Sequence, residues 1–163
     1  MTERLLFLDT ETTGIEPRVD RVIDIGVVAV VNGEINTAHA YQTYLNPERT
    51  RISRESHGVH GLSEAFLEGQ PLFADVIDAL YTFIEGQKVL VHNARFDVGM
   101  LNAEVVRLNA KGGRYKFIEE MCQVCDTVEW ARSFEHKAGL RAGNFSLDAL
   151  CKIARPQSGL VFK

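Results

Sequence analysis

Phe7-Leu8-Asp9-Thr10-Glu11-Thr12-Thr13-Gly14 is entered through Leu5 and Leu6, an apolar run of strand character that ends in two acids. Side chains alternate faces along a strand, so Asp9 and Glu11 share one side and Thr10 points to the other. Two carboxylates on one face at the end of an apolar strand are costly unless something offsets their charge. A divalent cation is the natural partner, because Mg²⁺ and Mn²⁺ favour carboxylate and water oxygens. Solvated acids at a strand end are the plainer alternative. Gly14 then permits a sharp turn, or the close approach of a ligand to the backbone.

Working outward, residues 22–31 are rich in β-branched side chains and read as a second strand. Asn32-Gly33 is a strong short hairpin signal, and 34–45 alternates as a third strand, so the chain opens as an antiparallel meander. Asn46-Pro47 ends it. Residues 48–70, broken by Gly58, Gly61 and Gly69, read as short helical pieces. Pro71 opens a helix that ends near Gly86, with Phe73, Val76, Ile77, Leu80, Phe83 and Ile84 at helical spacing. Residues 88–92 form a short buried strand. Asn93 is placed to cap the next helix, whose stripe is Val98, Leu101, Val105 and Leu108 and which Lys111-Gly112-Gly113 stops. Residues 121–126 read as a fifth strand and 127–134 as a helix, and Ser146 caps a last helix through Leu147, Leu150 and Ile153. The order β-β-β-α-β-α-β-α predicts one α/β domain, a mixed sheet with helices packed on it, spanning residues 1–163.

Composition narrows the classes. A length of 163 residues, 45% hydrophobic and 25% charged, suits one globular domain with a proper core. No apolar run reaches membrane-spanning length, and the first residues do not read as a signal peptide, so the expected partners include no membrane. Three cysteines argue against a disulfide framework and for a reducing compartment, with the cytoplasm expected. Cys122 and Cys125 have the spacing of half a zinc site but no second pair at a suitable distance, so they read as small buried hydrophobes. Eighteen basic against 22 acidic residues, a net of −4, do not describe a protein that coats DNA electrostatically. An enzyme that holds a few nucleotides through metal ions remains compatible, since bound cations set the local sign of the charge. Lys111, Arg114 and Lys116 read as a solvated loop at least as readily as a guide for a strand.

The second acidic signal is His92-Asn93-Ala94-Arg95-Phe96-Asp97. Asp97 falls in the first turn of its helix, where the dipole favours negative charge, and taken alone that is its simplest role. Joined to Asp9 and Glu11 it becomes a third oxygen ligand from another element, an arrangement able to hold two divalent ions roughly 4 Å apart.

Asp-Thr-Glu-Thr-Thr-Gly at 9–14, Val-His-Gly-Leu at 59–62 and His-Asn-Ala-Arg-Phe-Asp-Val-Gly at 92–99 resemble the DEDD superfamily of 3′→5′ exonucleases. Ser-Leu-Asp-Ala-Leu-Cys at 146–151 brings the likeness nearest to the epsilon-type proofreading exonuclease domains of bacterial DNA polymerase III. The resemblance implies a ribonuclease H-like fold and release of nucleoside 5′-monophosphates from primer 3′ ends with two divalent cations, Mg²⁺ or Mn²⁺. It implies that Asp9, Glu11 and Asp97 are the catalytic, metal-binding acids. Thr12 and Thr13 resemble positions that touch the terminal nucleotide, His60 one that lines its pocket, and Phe96 an aromatic near the scissile end. The implied partners are a single-stranded or frayed 3′ DNA end and a replicative polymerase catalytic subunit, engaged through a segment C-terminal to the nuclease domain.

One motif departs from the pattern. The family's last signature is a histidine followed five residues later by an aspartate, downstream of the 146–151 helix. Residues 152–163 contain neither a histidine nor an acid, so the domain reads as C-terminally incomplete relative to the family. His60 and His92 lie nearest the motifs as substitutes for the base, although His92 reads better as a strand cap bonded locally. His39, His57 and His136 read as surface or loop residues, and Asp148 as a helix-start charge. A positioned base contributes ~10²–10⁴-fold, so activity is expected to be impaired without one. Two alternatives follow: a catalytically disabled nucleic-acid-binding or scaffold domain, and a related exonuclease acting on RNA ends.

Overall fold

The central strand β1 (Arg4–Thr12) carries the acids. Leu6, Leu8, Thr10 and Thr12 are buried on one face, while Asp9 and Phe7 are exposed and Glu11 is half-buried on the other. The computed structural model describes residues 4–138, 145–147 and 149–150.

β2 (Val22–Val31) and β3 (Glu34–Tyr44) complete the meander, both pairings being antiparallel. Asn32 and Gly33 take positive φ (51° and 84°), the conformation that a tight two-residue hairpin demands. β4 (Lys88–Val91) pairs parallel to β1, and β5 (Gln123–Asp126) pairs parallel to β4. The five strands lie in the order β3-β2-β1-β4-β5, the mixed α/β sheet expected from the element order and the ribonuclease H-like arrangement that the resemblance implies.

The helices are α1 (Arg54–His60), α2 (Glu64–Leu67), α3 (Phe73–Ile84), α4 (Ala94–Ala110), α5 (Ile118–Met121) and α6 (Thr127–Ala138). α3 buries Phe73, Val76, Ile77, Leu80 and Ile84, and α4 buries Val98, Met100, Leu101 and Val105, in one core with Leu6, Leu8, Ile25 and Val27 of the sheet. Each such side chain contributes roughly 1.5–3 kcal/mol relative to exposure. α4 also buries two acids, Asp97 and Glu104, on the side that carries its apolar stripe.

Two local expectations are corrected, and one gains a further reason. Asn93 does not cap α4 with its side chain; it sits in the left-handed region (φ 65°, ψ 54°) and turns the chain. The cap comes from Asp126 at the end of β5, whose carboxylate accepts from Asn93 N (3.3 Å), Ala94 N (2.9 Å) and Val128 N (2.8 Å). Residue 121, read as the start of a strand, instead ends the single helical turn α5, and the strand begins at Gln123. Gly14 lies in the bend that leaves β1, as expected, and crowding adds a reason for glycine there. A Cβ there would meet Asp20 Oδ2 at 2.4 Å, and Asp20 is held by Thr13 Oγ1 (3.0 Å) and Glu16 N (2.8 Å).

Cys122 is buried, its thiol pushed up to about 11 by burial first and then by Glu119 and Cys125, as a small core hydrophobe would be. Ser146 Oγ accepts from Ala149 N (3.3 Å), which agrees with a helix start, while Asp148, Cys151, Ile153 and the side chain of His136 lie outside the described residues. Among the described residues no helix is long and apolar enough to cross a membrane.

Candidate active site

β4 stops at Val91, opposite Leu8, so the edge of β1 beyond Leu8 has no strand partner on that side. The first turn of α4 fills the gap. Asp97 Oδ1 accepts from Thr10 N (3.0 Å) and from Thr10 Oγ1 (2.7 Å), so one side chain completes the hydrogen bonding of a strand 87 positions away. Thr10, which points away from the acids' face, is therefore the residue that fastens the third acid to the strand carrying the other two. Asp97 is only 3% exposed, and its pKa is pushed up to about 6 by burial first, against the Thr10 bonds, with the charge of Asp9 adding to the rise.

A fourth carboxylate belongs to the group. Asp24 on β2 stands opposite Glu11 in the β1–β2 register. Burial and then the charges of Asp9, Asp24 and Asp97 raise the pKa of Glu11. Asp24 is raised as well, by burial above all, against a bond from Gln42 Nε2 (3.3 Å). Its Oδ1 is buried with no hydrogen-bond partner among the described residues. Asp24 is not among the acids expected from the sequence. Its signal was Ile23-Asp24-Ile25-Gly26, where the two non-apolar positions alternate and therefore face one side of the strand.

The acids share a field without yet enclosing a point. Among the described residues no three His, Cys, Asp or Glu side chains are drawn close enough to hold a metal ion. The donor chemistry nevertheless fits a hard dication: the oxygens of Asp9, Glu11 and Asp97 border one strand end, and Glu11 and Asp97 are raised by burial first and by neighbouring carboxylate charge as well.

The residues expected to touch a nucleotide take the following places. Thr12 Oγ1 donates to Gly14 O (2.7 Å). Thr13 is fully buried, donates to Asp20 Oδ1 (3.0 Å) and accepts from Arg21 N (3.0 Å), so both hydroxyls shape the loop that leaves β1. His60 ends α1; its Nδ1 accepts from Leu62 N (3.0 Å), and its buried Nε2 has no hydrogen-bond partner among the described residues. Burial first and then the neighbouring His57 lower its pKa, against opposing effects from the Thr12 backbone and Asp24. Phe96 is half-buried and packs on the core from the turn before Asp97. His92 Nδ1 lies 2.9 Å from Thr127 Oγ1, the local bonding expected of a strand-end histidine.

A ribonuclease H-like sheet with acids gathered at the end of its central strand and at the first turn of a docked helix is the architecture of a phosphodiester-cleaving protein. The chain belongs to the exonuclease family, whose model matches residues 6–158. It is 37% identical over 150 residues to the DNA polymerase III subunit epsilon of Rickettsia felis, an alignment covering 91% of this chain and 61% of that protein. It is 36% identical over 154 residues to the same subunit of Salmonella typhimurium, covering 91% and 59%. The chain thus spans about three fifths of the length of these curated relatives. Among solved structures, exonuclease X in complex with 5′ overhanging duplex DNA superposes with a TM-score of 0.67 at 23% identity, over 93% of this chain and 73% of that one. A full-length 3′-exonuclease gives 0.72 at 17% identity, over 93% and 52%.

Proposed function

We propose that this chain is the 3′→5′ exonuclease domain of a replicative proofreading subunit, removing nucleoside 5′-monophosphates from a single-stranded or frayed DNA 3′ end. The observation that carries this reading is the docking of Asp97 by Thr10 onto the strand end that bears Asp9 and Glu11.

Asp9, Glu11 and Asp97 would hold two divalent cations, Mg²⁺ or Mn²⁺. Bound there, such ions supply positive charge for activating water and for stabilising the leaving 3′ oxygen. The protein's own contribution is positional. Thr10 fixes Asp97, and the loop braced by Thr12 and Thr13 walls the terminal nucleotide. His60 stands beside Thr12 on that wall, and Phe96 offers a ring face that accepts any base. Grip on backbone and on a stacked base carries little sequence preference, as a proofreader needs. Similarity to subunits named epsilon of DNA polymerase III supports a replicative polymerase catalytic subunit as the partner, bound through sequence C-terminal to this domain.

One observation favours a second reading, a domain that binds nucleic acid with impaired hydrolysis: among the described residues no three His, Cys, Asp or Glu side chains are drawn close enough to hold a metal ion. Release of mononucleotides from 5′-labelled single-stranded DNA, and from RNA of the same sequence, separates the readings. It is run with Mg²⁺, Mn²⁺ or EDTA beside Asp9→Ala. A metal-dependent ladder shortening from the 3′ end of DNA, lost in Asp9→Ala, is the expected result. Binding without a ladder supports the second reading, and a faster ladder on RNA replaces the substrate.

A further inference from the structure

The segment after the meander carries Arg49, Arg51 and Arg54, all exposed. None of the three guanidinium groups has an ion-pair or hydrogen-bond partner among the described residues. Two other arginines near this end of the sheet, Arg21 and Arg107, are committed. Arg21 holds Glu104 and Glu48, and Arg107 Nη2 donates to the Pro17 (2.6 Å) and Asp20 (2.9 Å) carbonyls. Three unspent guanidinium groups within six positions are notable in a chain of net charge −4.

Their placement is specific. Ser53 N donates to Thr13 O (2.7 Å), which docks the arginine segment against the loop leaving the acid-bearing strand. Ser53 also caps α1, its side chain accepting from Ser56 N (3.0 Å), so Arg54 stands on an ordered turn. Beside it opens a groove of ≈ 380 Å³ lined by Ile52, Arg54, His57, Ser63 and Glu64. Glu64 is partly spent, accepting from Ile52 N (3.2 Å). The rings of His57 and His60 lie 6.5 Å apart, so the groove begins one imidazole away from the residue beside Thr12 and Asp24.

We infer that this groove, with Arg51 and Arg54, seats the backbone phosphates of single-stranded DNA upstream of the nucleotide held at the acids; the inference rests on the exonuclease reading above. The acid cluster by itself repels a polyanion. Guanidinium groups one step along the strand's path offset that repulsion and match phosphate oxygens in planar, two-point fashion. Such a seat sets affinity for longer strands and makes it sensitive to salt, while leaving base sequence unread.

The test is equilibrium binding of 5′-fluorescein-labelled dT12, with dT2 as a short competitor, to the 163-residue chain in EDTA across a salt series. The variants are Arg51→Ala/Arg54→Ala and, as the rival basic surface with the same charge removed, Arg114→Ala/Lys116→Ala. The groove variant is expected to bind dT12 about tenfold more weakly at low salt, with the salt slope shallower by about 1.4 for two lost phosphate contacts. Its loss for dT12 should exceed its loss for dT2 at least fivefold. Equal weakening by the two double variants overturns the inference, since net charge alone would then account for it. An unchanged salt slope, or equal losses for dT12 and dT2, overturns it as well. In those cases a DNA ladder from the wild-type chain keeps the exonuclease reading standing. Absence of wild-type binding to either oligonucleotide in EDTA overturns the inference too, whereas only a missing metal-dependent ladder sinks the exonuclease reading.

Discussion

Asp97 combines a position dictated by hydrogen bonding with a charge its surroundings resist. Thr10 supplies two bonds to one of its oxygens, yet burial and Asp9 lift its pKa to about 6, above the ordinary aspartate value near 3.9. The folded chain therefore binds this proton more tightly than the unfolded chain does. The resulting stability is present in full below pH 4 and is lost as pH rises through 6. Asn keeps an acceptor for both Thr10 bonds and carries no charge. Asp97→Asn should be more stable than wild type at pH 8 in EDTA, by about 2 kcal/mol, with the gap closing by pH 4. Urea midpoints at the two pH values check this. An Asn variant less stable at pH 8 would mean that the carboxylate is comfortable where it stands. Activity, by contrast, should be lost, as for Asp9→Ala.

At the scale of elements, the loop from β1 to β2 and helix α4 are locked together by one buried carboxylate. Glu104, 1% exposed, accepts from Arg21 Nε (2.7 Å), Arg21 Nη2 (3.0 Å) and Val22 N (3.2 Å), and pairs with Arg107 (3.3 Å). A buried pair of this kind stabilises little against an apolar alternative, but removing one partner strands the other's charge, at a cost of about 3–5 kcal/mol. Glu104→Ala should therefore lower stability by about 3 kcal/mol by urea titration, and loosen the loop that Thr12 and Thr13 brace. A loss below about 1 kcal/mol would show Arg21 to be adequately solvated without its partner. The turn from β4 into α4 follows the same logic. A left-handed Asn93 and the Asp126 carboxylate, from two different segments, aim the helix that carries Asp97.

For the molecule as a whole, four acids from three elements meet at one end of the sheet. Metal-free folding therefore keeps mutual repulsion that a dication relieves. Ligand binding to the folded form alone stabilises by about 2.7 kcal/mol at a hundred times Kd. Mn²⁺ should accordingly raise the melting midpoint at pH 8, where Asp97 is ionised, and have a much smaller effect at pH 5, where it is mostly protonated. Calorimetry with and without the ion reads this directly. An equal rise at both pH values, or one that survives Asp97→Asn, would place the ion elsewhere.

Local chemistry carries the elements. Alternation in β1 and β2, the Asn32-Gly33 hairpin, the helical spacing in α3 and the apolar stripe of α4 are each readable within a dozen residues, because each depends on which side chains can share a face. The acids Asp9, Glu11 and Asp97 are legible for the same reason, being polar groups at the ends of apolar runs. Partners distant in sequence were not legible. That Thr10 secures Asp97, that Asp24 stands beside Glu11, that Asp126 rather than Asn93 caps α4, and that Glu104 is buried under Arg21 all depend on where strands stop and which register they keep. Those are properties of the assembled sheet. A buried polar group takes whatever partner the packing brings within hydrogen-bond reach, and only the tertiary structure decides which partner that is.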